Sequence, residues 1–477
     1  MEPQTHLPQA FIDKMASLLP QTLSLDDFIR YCRTPLRKSI RVNTLKISID
    51  DFVSHIQIKG WRLTPIPWCK AGFWLERPSE EEDRLPLGNT AEHLAGLFYI
   101  QEASSMLPVS ALLHGGDSPE RALDMAAAPG SKTTQLAACM QGEGLVVANE
   151  LSASRVKVLV ANLQRCGVRN VLVSHYQGQV FGEWLPESFD AILLDAPCGG
   201  EGTVRKDPLA MKNWSPQAIE NIASVQKELL HSAFLALKPG GTLIYSTCTL
   251  SPEENQQVVA DLLGQYPTLA QVESLEDLFD GASKVVTPEG YLHVWPQVFD
   301  SEGFFVARLT KRQALSQLAK PKKVKVTSVP APKKTEETLK HYLDSQFGLT
   351  LPSGELMQKD KDLWLFPSGT SELIPRFRFN RCGLKLATQH KNGFRLTHDA
   401  AIALAPHINK NRYELSEQQL VEFYKGRDLN VPELSQGGEL VLCFNGHVVG
   451  LGKALNGRIK NGLPRELVRD DRVVKAS

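Results

Sequence analysis

From about residue 86 to residue 310 the chain repeats one pattern. Short apolar runs end in Gly, Pro or an acid, and between them lie stretches whose apolar residues return every three or four positions. The runs RALD (121–124), GLVVANE (144–150), NVLVS (170–174), DAILLD (190–195) and IYSTC (244–248) predict buried parallel strands. The intervening stripes, such as Val156, Leu159, Val160 and Leu163 behind Ser152 as a cap, predict covering helices. The longest helical pattern runs from Pro216 to Leu237, and YLHVWP with GFFVARL, within 285–309, completes a seven-stranded sheet. Pro252 is expected at the first position of a further helix, with Glu253 and Glu254 at its positive end.

The flanks follow other rhythms. Phe11, Met15, Leu18 and Leu19, then Leu25, Phe28 and Ile29, predict two short helices. Arg37 to Lys46 alternates as a strand with Arg41 and Asn43 on one face, either solvated or set against a phosphate or base edge. Residues 50–58 read as a helix, residues 61–75 as short strands, and Leu94, Leu97 and Phe98 as a helical stripe. After residue 310, Lys311 to Lys334 holds eight Lys/Arg, three Pro and no acid. That composition predicts a linker, either a solvated tether or a segment tracking a nucleic-acid backbone. Pro375 to His398 interleaves Arg and Lys with Phe, a pattern suited to RNA. Strands around an Asn445-Gly446 turn then predict a compact β appendage. The expected division is a small α+β RNA-binding module at 1–85, an α/β domain at 86–310, a basic linker at 311–334, a mixed module at 335–398 and a β domain at 399–477.

Composition narrows this picture only slightly. Lys+Arg and Asp+Glu each number 53 in 477 residues, so nucleic-acid affinity must come from local patches and not from a global field. The eight cysteines (32, 69, 139, 166, 198, 248, 382 and 443) form no metal-ligand spacing. No metal is therefore expected, and the thiols fit a reduced compartment. The N-terminus lacks a basic stretch leading into an apolar one, and no apolar run is long enough to span a bilayer, so a cytoplasmic protein without membrane contact is expected. A monomer is the simplest expectation.

Three strand-end loops carry the candidate chemistry. Ligands of open parallel sheets bind beyond the carboxyl ends of the strands, so Cys198 in DAPCGG and Cys248 in YSTCTL are expected to face one crevice. Pyrimidine rings are electrophilic at carbon 6, and a thiolate adding there makes carbon 5 nucleophilic towards a sulfonium methyl group. One cysteine can attack while the other assists removal of the carbon-5 proton and release. Residue types alone leave open which does which. Asp195 is placed to hold or protonate the ring's N3 edge.

The third loop, Ala126, Ala127, Ala128, Pro129, Gly130, Ser131 and Lys132, lets backbone approach a ligand closely. Its GSKT is not a Walker A loop, because Ser131 and Ala126 stand where that motif needs glycine. Glu150, about twenty residues further on at the next strand end, is expected on a ribose diol, and Gln177 is placed to accept from an adenine amino group. Gln101, Glu102, Ser104 and Ser105 form a polar turn that either caps a helix or faces the crevice. Arg205 and Lys206, in a mixed-charge loop after Cys198, are either solvated or set to meet phosphates.

With DAPCGGEGTVRKDP, YSTCTLSPEENQ, AAAPGSKT, SIRVNTLK and YIQEASSMLP together, the chain resembles the Nop/Sun family of RNA cytosine-5 methyltransferases over about residues 30–310. The resemblance implies a Rossmann-like seven-stranded class I methyltransferase sheet, and, through the stretch ending in LPRELVRD, a C-terminal PUA-like RNA-binding domain. It implies S-adenosylmethionine as methyl donor, and a cytosine in the decoding region of 16S ribosomal RNA, naked or in the small subunit, as target. By the same resemblance Cys248 attacks, Cys198 serves release, and residues 126–132, Glu150, Gln177 and Asp195 contact the cofactor. Gln177 stands where the family commonly has Asp, and Gly199 where it often has Ser. Methylation of another RNA such as tRNA, or of DNA, and non-catalytic RNA binding in ribosome assembly are the alternatives.

Overall fold

The computed structural model describes residues 7–207, 209–212, 214–316, 324, 328–391, 393–435 and 437–469. Two helices come first, α1 (Gln9–Leu18) and α2 (Leu25–Arg33). Ser24 caps α2 by accepting from the Asp27 N–H at 3.3 Å, with Asp26 and Asp27 at the positive end and Arg30 and Arg33 at the negative end. Their apolar faces, Phe11, Met15 and Phe28, pack on Val204, Met211, Leu250 and Trp295, residues of loops that bound the crevice.

Strands β1 (Ser39–Val42), β2 (Arg62–Ile66), β3 (Cys69–Glu76) and β4 (Phe98–Ile100) form an antiparallel sheet in the order β2-β3-β1-β4. This sheet therefore reaches past residue 85. The helical stripe expected at residues 94–98 is instead a one-turn helix, Ala91–Leu94, followed by β4, because Phe98 is drawn into register opposite Val42. Arg41 and Asn43 do share a setting, but a buried one. Arg41 donates to Ser131 O at 2.7 Å, to the Thr134 hydroxyl at 2.7 Å and to Gln101, while Asn43 donates to Gly96 O and Cys166 O at 2.8 Å each. Neither residue is solvated or free for RNA; they fasten the N-terminal sheet to the central one.

The central sheet is built from β5 (Arg121–Asp124), β6 (Leu145–Asn149), β7 (Val171–Ser174), β8 (Phe189–Asp195), β9 (Leu237–Thr247), β10 (Ala270–Glu273), β11 (Leu292–Val294) and β12 (Phe304–Lys311). Its row is β10-β12-β9-β8-β5-β6-β7, with β5 to β9 parallel and β12 antiparallel between β9 and β10. The order reverses at β5, which opens the crevice beyond the strand ends. YLHVWP does form a strand, β11, but it pairs only along β12, and the seventh place belongs to β10. The AQVE run of β10 is mostly half-buried and carries no apolar signal. The helix after β9 begins at Gln256 and not at Pro252, since residues 252–255 turn inward to deliver the Glu254 side chain.

Two five-stranded sheets follow, one from strands between Val329 and Leu396, the other from strands between Arg412 and Asn461. Asn445 (φ 49°) and Gly446 (φ 77°) make the two-residue turn between Gly438–Phe444 and His447–Leu455. Of the expected linker, residues 317–323 and 325–327 lie outside the described residues; Lys311, its first residue, is the buried end of β12. The basic, aromatic stretch is partly internal. Phe377 is buried against Tyr176, Phe181 and Trp184, with ring centroids 4.5, 5.0 and 5.7 Å away, and Arg381–Cys382 adds an antiparallel strand to β7. Phe377→Ala is expected to cost about 3–5 kcal/mol, read as a lower denaturant midpoint.

Candidate active site

β8 and β9 run side by side with Asp195 opposite Ser246, so the loops leaving them start level. That register brings Cys198 Sγ to 2.9 Å from Cys248 Sγ, and the Cys248 N–H donates to Cys198 Sγ at 3.3 Å. The Cys198 sulfur beside it, with burial, pushes the Cys248 thiol well above the usual range. Gly202 makes this approach possible: its N–H donates to Cys248 O at 2.9 Å, and a Cβ there would lie 2.1 Å from Gly303 O.

Two buried acids join the loops from opposite sides. Glu201, three residues after Cys198, accepts from Leu250 N at 3.2 Å, the Thr249 hydroxyl at 2.9 Å, the Ser251 hydroxyl at 2.7 Å and Trp214 Nε1. Glu254, after Cys248, accepts on Oε2 from Gly199 N and Gln226 Nε2, each at 2.9 Å. A side chain at 199 would place its Cβ 2.8 Å from Glu254 Oε1, so glycine there suits the Glu254 contact. Burial pushes the Glu254 carboxyl up to about 7. Sequence reading missed both acids as site residues and took Glu254 for a helix-start acid; an acid three residues after Cys198 and another six residues after Cys248 was the available signal.

Asp195 sits at the crevice floor, accepting from Lys132 Nζ at 2.7 Å and from the Ser246 hydroxyl at 2.8 Å. Lys132 also donates to the Ser105 hydroxyl at 2.9 Å. The polar turn thus faces the crevice, and neither Ser104 nor Ser105 caps the helix Leu107–Leu112. Glu102 accepts from Ser105 N at 3.0 Å and from Glu302 N at 3.2 Å. Burial, then the charge of Glu102, raises the Glu302 carboxyl to about 8.

The small-residue loop leaves β5 as expected. Ala127 N donates to Asn149 O at 2.7 Å, and Gly130 (φ 104°) turns the chain into the helix Ser131–Cys139. Ala126, Ala127, Ala128, Pro129, Gly130, Ser131 and Lys132 therefore lie at the end of β5, Glu150 at the end of β6 and Gln177, exposed, just after β7. Glu150 accepts from Ser152 N at 2.8 Å and lies 3.4 Å from Arg155; Ser152 makes no side-chain cap of its helix. Asp124 accepts from the Thr133 hydroxyl at 2.7 Å, while its Oδ1 is buried without a partner among the described residues, and burial pushes this carboxyl up to about 6.

The Arg205 expectation is corrected. Its guanidinium is buried and committed to Thr34 O, Pro35 O, Ser301 O and Asp300, at 3.1, 3.0, 3.0 and 2.7 Å, so it anchors the loop instead of meeting phosphate; Lys206 beside it is exposed. Among the described residues no group of three or more His, Cys, Asp or Glu is arranged to hold a metal, and no helix is long and apolar enough to cross a membrane.

A parallel sheet reversing at its first strand, with antiparallel β12 inserted and a small-residue loop facing two thiols, defines a Rossmann-like class I methyltransferase. A methyltransferase homolog from Pyrococcus horikoshii is 33% identical, with a TM-score of 0.51, over 64% of this chain and all of that one. NSun6 from the same organism, solved with SFG, shares the fold at 22% identity and a TM-score of 0.55, over 64% of this chain and 98% of that one. Residues 112–310 match the family described as 16S rRNA methyltransferase RsmB/F. Residues 7–103, 329–404 and 410–469 match the N-terminal, pre-PUA and PUA domains of methyltransferase RsmF. Ribosomal RNA small subunit methyltransferase F of Escherichia fergusonii is 55% identical over 98% of both chains, and that of Vibrio parahaemolyticus 52% identical over 98% and 99%. The chain belongs to the ribosomal RNA small subunit methyltransferase F family, within the Nop/Sun methyltransferases. The methyl donor is S-adenosylmethionine, and the residues present fit it: the Glu150 carboxylate at the end of β6 suits a ribose diol, and a buried Asp124 oxygen at the end of β5 is left without a partner among the described residues.

Because the Asp124 carboxyl is raised from 3.8, the fold favours its neutral form, and this group's contribution to stability is lost as pH rises through about 6. Asp124→Asn does not titrate. Its stability relative to the parent is expected to grow between about pH 4 and pH 7, by on the order of 3 kcal/mol at most, in thermal unfolding across that range.

Proposed function

We propose that this enzyme methylates carbon 5 of one cytosine in the decoding region of 16S ribosomal RNA. The observation that carries the reading is the contact between Cys198 and Cys248, on the loops that leave the strand ends at Asp195 and Ser246. One thiol is sufficient to add to a ring; two in contact serve addition and elimination in turn. S-adenosylmethionine supplies the methyl group when bound. Ala126 to Lys132, Glu150, Gln177 and Asp195 are the residues assigned to hold it.

Cys248 Sγ adds to carbon 6 of the flipped-out cytosine. Its thiol is held neutral by Cys198 and burial, so as the sulfur–carbon bond forms the thiol proton passes to ring N3. Asp195, oriented by Ser246 and Lys132, holds the N3 edge and steadies the charge pushed into the ring. Cys198 assists loss of the carbon-5 proton, which releases Cys248. Exposed Lys206 at the crevice and the N- and C-terminal modules are assigned to RNA, as naked 16S RNA or the assembled small subunit. The enzyme is taken to act as a monomer in the cytoplasm.

Transfer of labelled methyl to small subunits and to naked 16S RNA, with 5-methylcytosine mapping, is expected to mark a single decoding-region cytosine. Label elsewhere discards the target, and label on no RNA discards the activity. Cys198→Ala is expected to accumulate a covalent RNA adduct on denaturing gels, whereas Cys248→Ala neither traps nor methylates. The opposite pattern would reverse the two roles.

A further inference from the structure

Between Glu201 and Glu254 stands one hydroxyl. Thr249 Oγ1 lies 2.9 Å from Glu201 Oε2 and 3.4 Å from Glu254 Oε1, and it also accepts from Ser251 N at 3.4 Å. A hydroxyl has one proton to give and two lone pairs to fill. Glu201 already faces four donors on its two oxygens, the Thr249 hydroxyl among them, which is the full complement of a carboxylate. Glu254 Oε2 faces two N–H donors, and among the described residues Oε1 faces only the Thr249 oxygen. Glu201, Glu254 and Thr249 are all satisfied in one arrangement: a proton on Glu254 Oε1 donated to Thr249, whose own proton goes to Glu201.

The geometry points to Glu201 and Glu254 as positioning residues that set the spacing of the two thiols, Glu254 acting as the neutral acid in a proton-ordered clasp through Thr249. The clasp is reciprocal. Glu201, on the Cys198 loop, grips Leu250 and Ser251 beyond Cys248, and Glu254, beyond Cys248, grips Gly199 beside Cys198. Loss of the Glu254 proton leaves two carboxylates contending for one hydroxyl proton in a buried site. The titratable groups around Glu254 are Glu201, the Cys198 thiol beside Gly199, Glu253 with its partner Lys14, and Tyr245, whose hydroxyl donates to Glu254 O at 2.5 Å. The rise of the Glu254 carboxyl to about 7 agrees with a proton held near neutrality.

The inference rests on reading the two thiols as the reacting pair, but its test does not require RNA. Phenylarsine oxide condenses with two neighbouring thiols, so its capture rate by the full chain reports their spacing; Cys198→Ser gives the background of the other cysteines. An amide at 254 accepts from Gly199 and Gln226 and donates to Thr249, copying the neutral acid. Glu254→Gln is therefore expected to match the parent below about pH 6 and to exceed it above about pH 8, with the ratio changing near 7. Glu254→Ala is expected to capture about tenfold more slowly at every pH. Glu201→Gln turns an amide donor towards Trp214 or Leu250 and is expected to slow capture at every pH. A flat ratio for Glu254→Gln, the same loss in Glu254→Gln as in Glu254→Ala, or parental capture by Glu201→Gln would overturn the clasp. Loss of methyl transfer with an intact capture pattern would instead count against the proposed reaction alone.

Discussion

Everything at this site depends on one constraint: two loops that leave adjacent parallel strands must bury their backbone polar groups against each other. β8 and β9 start the loops level, and the loops then carry N–H groups and hydroxyls into a region closed off by α1 and α2. An unpaired donor there costs on the order of 1–3 kcal/mol, so acceptors must be supplied from within. Glu201 and Glu254 supply them. The same contacts that satisfy the backbone also hold two sulfur atoms together, which makes the stability of the loops and the geometry of the chemistry one problem.

Much of this was legible in the sequence, for a reason that can be stated. A strand buried on both faces reads as an apolar run, and the residues where the run stops are those that reach the crevice. Asp195, Cys198, Cys248, the alanine-rich loop and Glu150 all occupy such positions, and all lie at the carboxyl ends of neighbouring strands. β10 escaped because only two of its four residues are apolar and most are only partly covered. Residues 94–98 looked helical because spacing over so short a stretch does not distinguish a helical turn from a turn leading into a strand.

The charged residues were least legible. Arg41, Arg205 and Glu254 all read as surface or helix-end groups, and all are buried against partners from elsewhere in the chain. What buries a charge is the set of carbonyls and side chains brought to it from far along the chain, as Thr34, Pro35, Asp300 and Ser301 are brought to Arg205. Local spacing holds no record of those partners. Phe377 misled in the same way, since an aromatic among basic residues looks like a stacking surface until the fold places Trp184 and Phe181 over it.

The two-residue strand Arg381–Cys382 also has a temporal meaning. Without it, β7 would present an open edge of unpaired N–H and C=O groups, the kind of edge that recruits a second chain. All seven strands of the central row have been synthesised once Lys311 is made, yet the strand that covers β7 comes only with residue 382. During synthesis the nascent chain therefore passes through an interval with a completed methyltransferase sheet and an uncovered flank. In this chain, protection from aggregation at that flank is a late event, set by translation and not by the folding of the sheet itself.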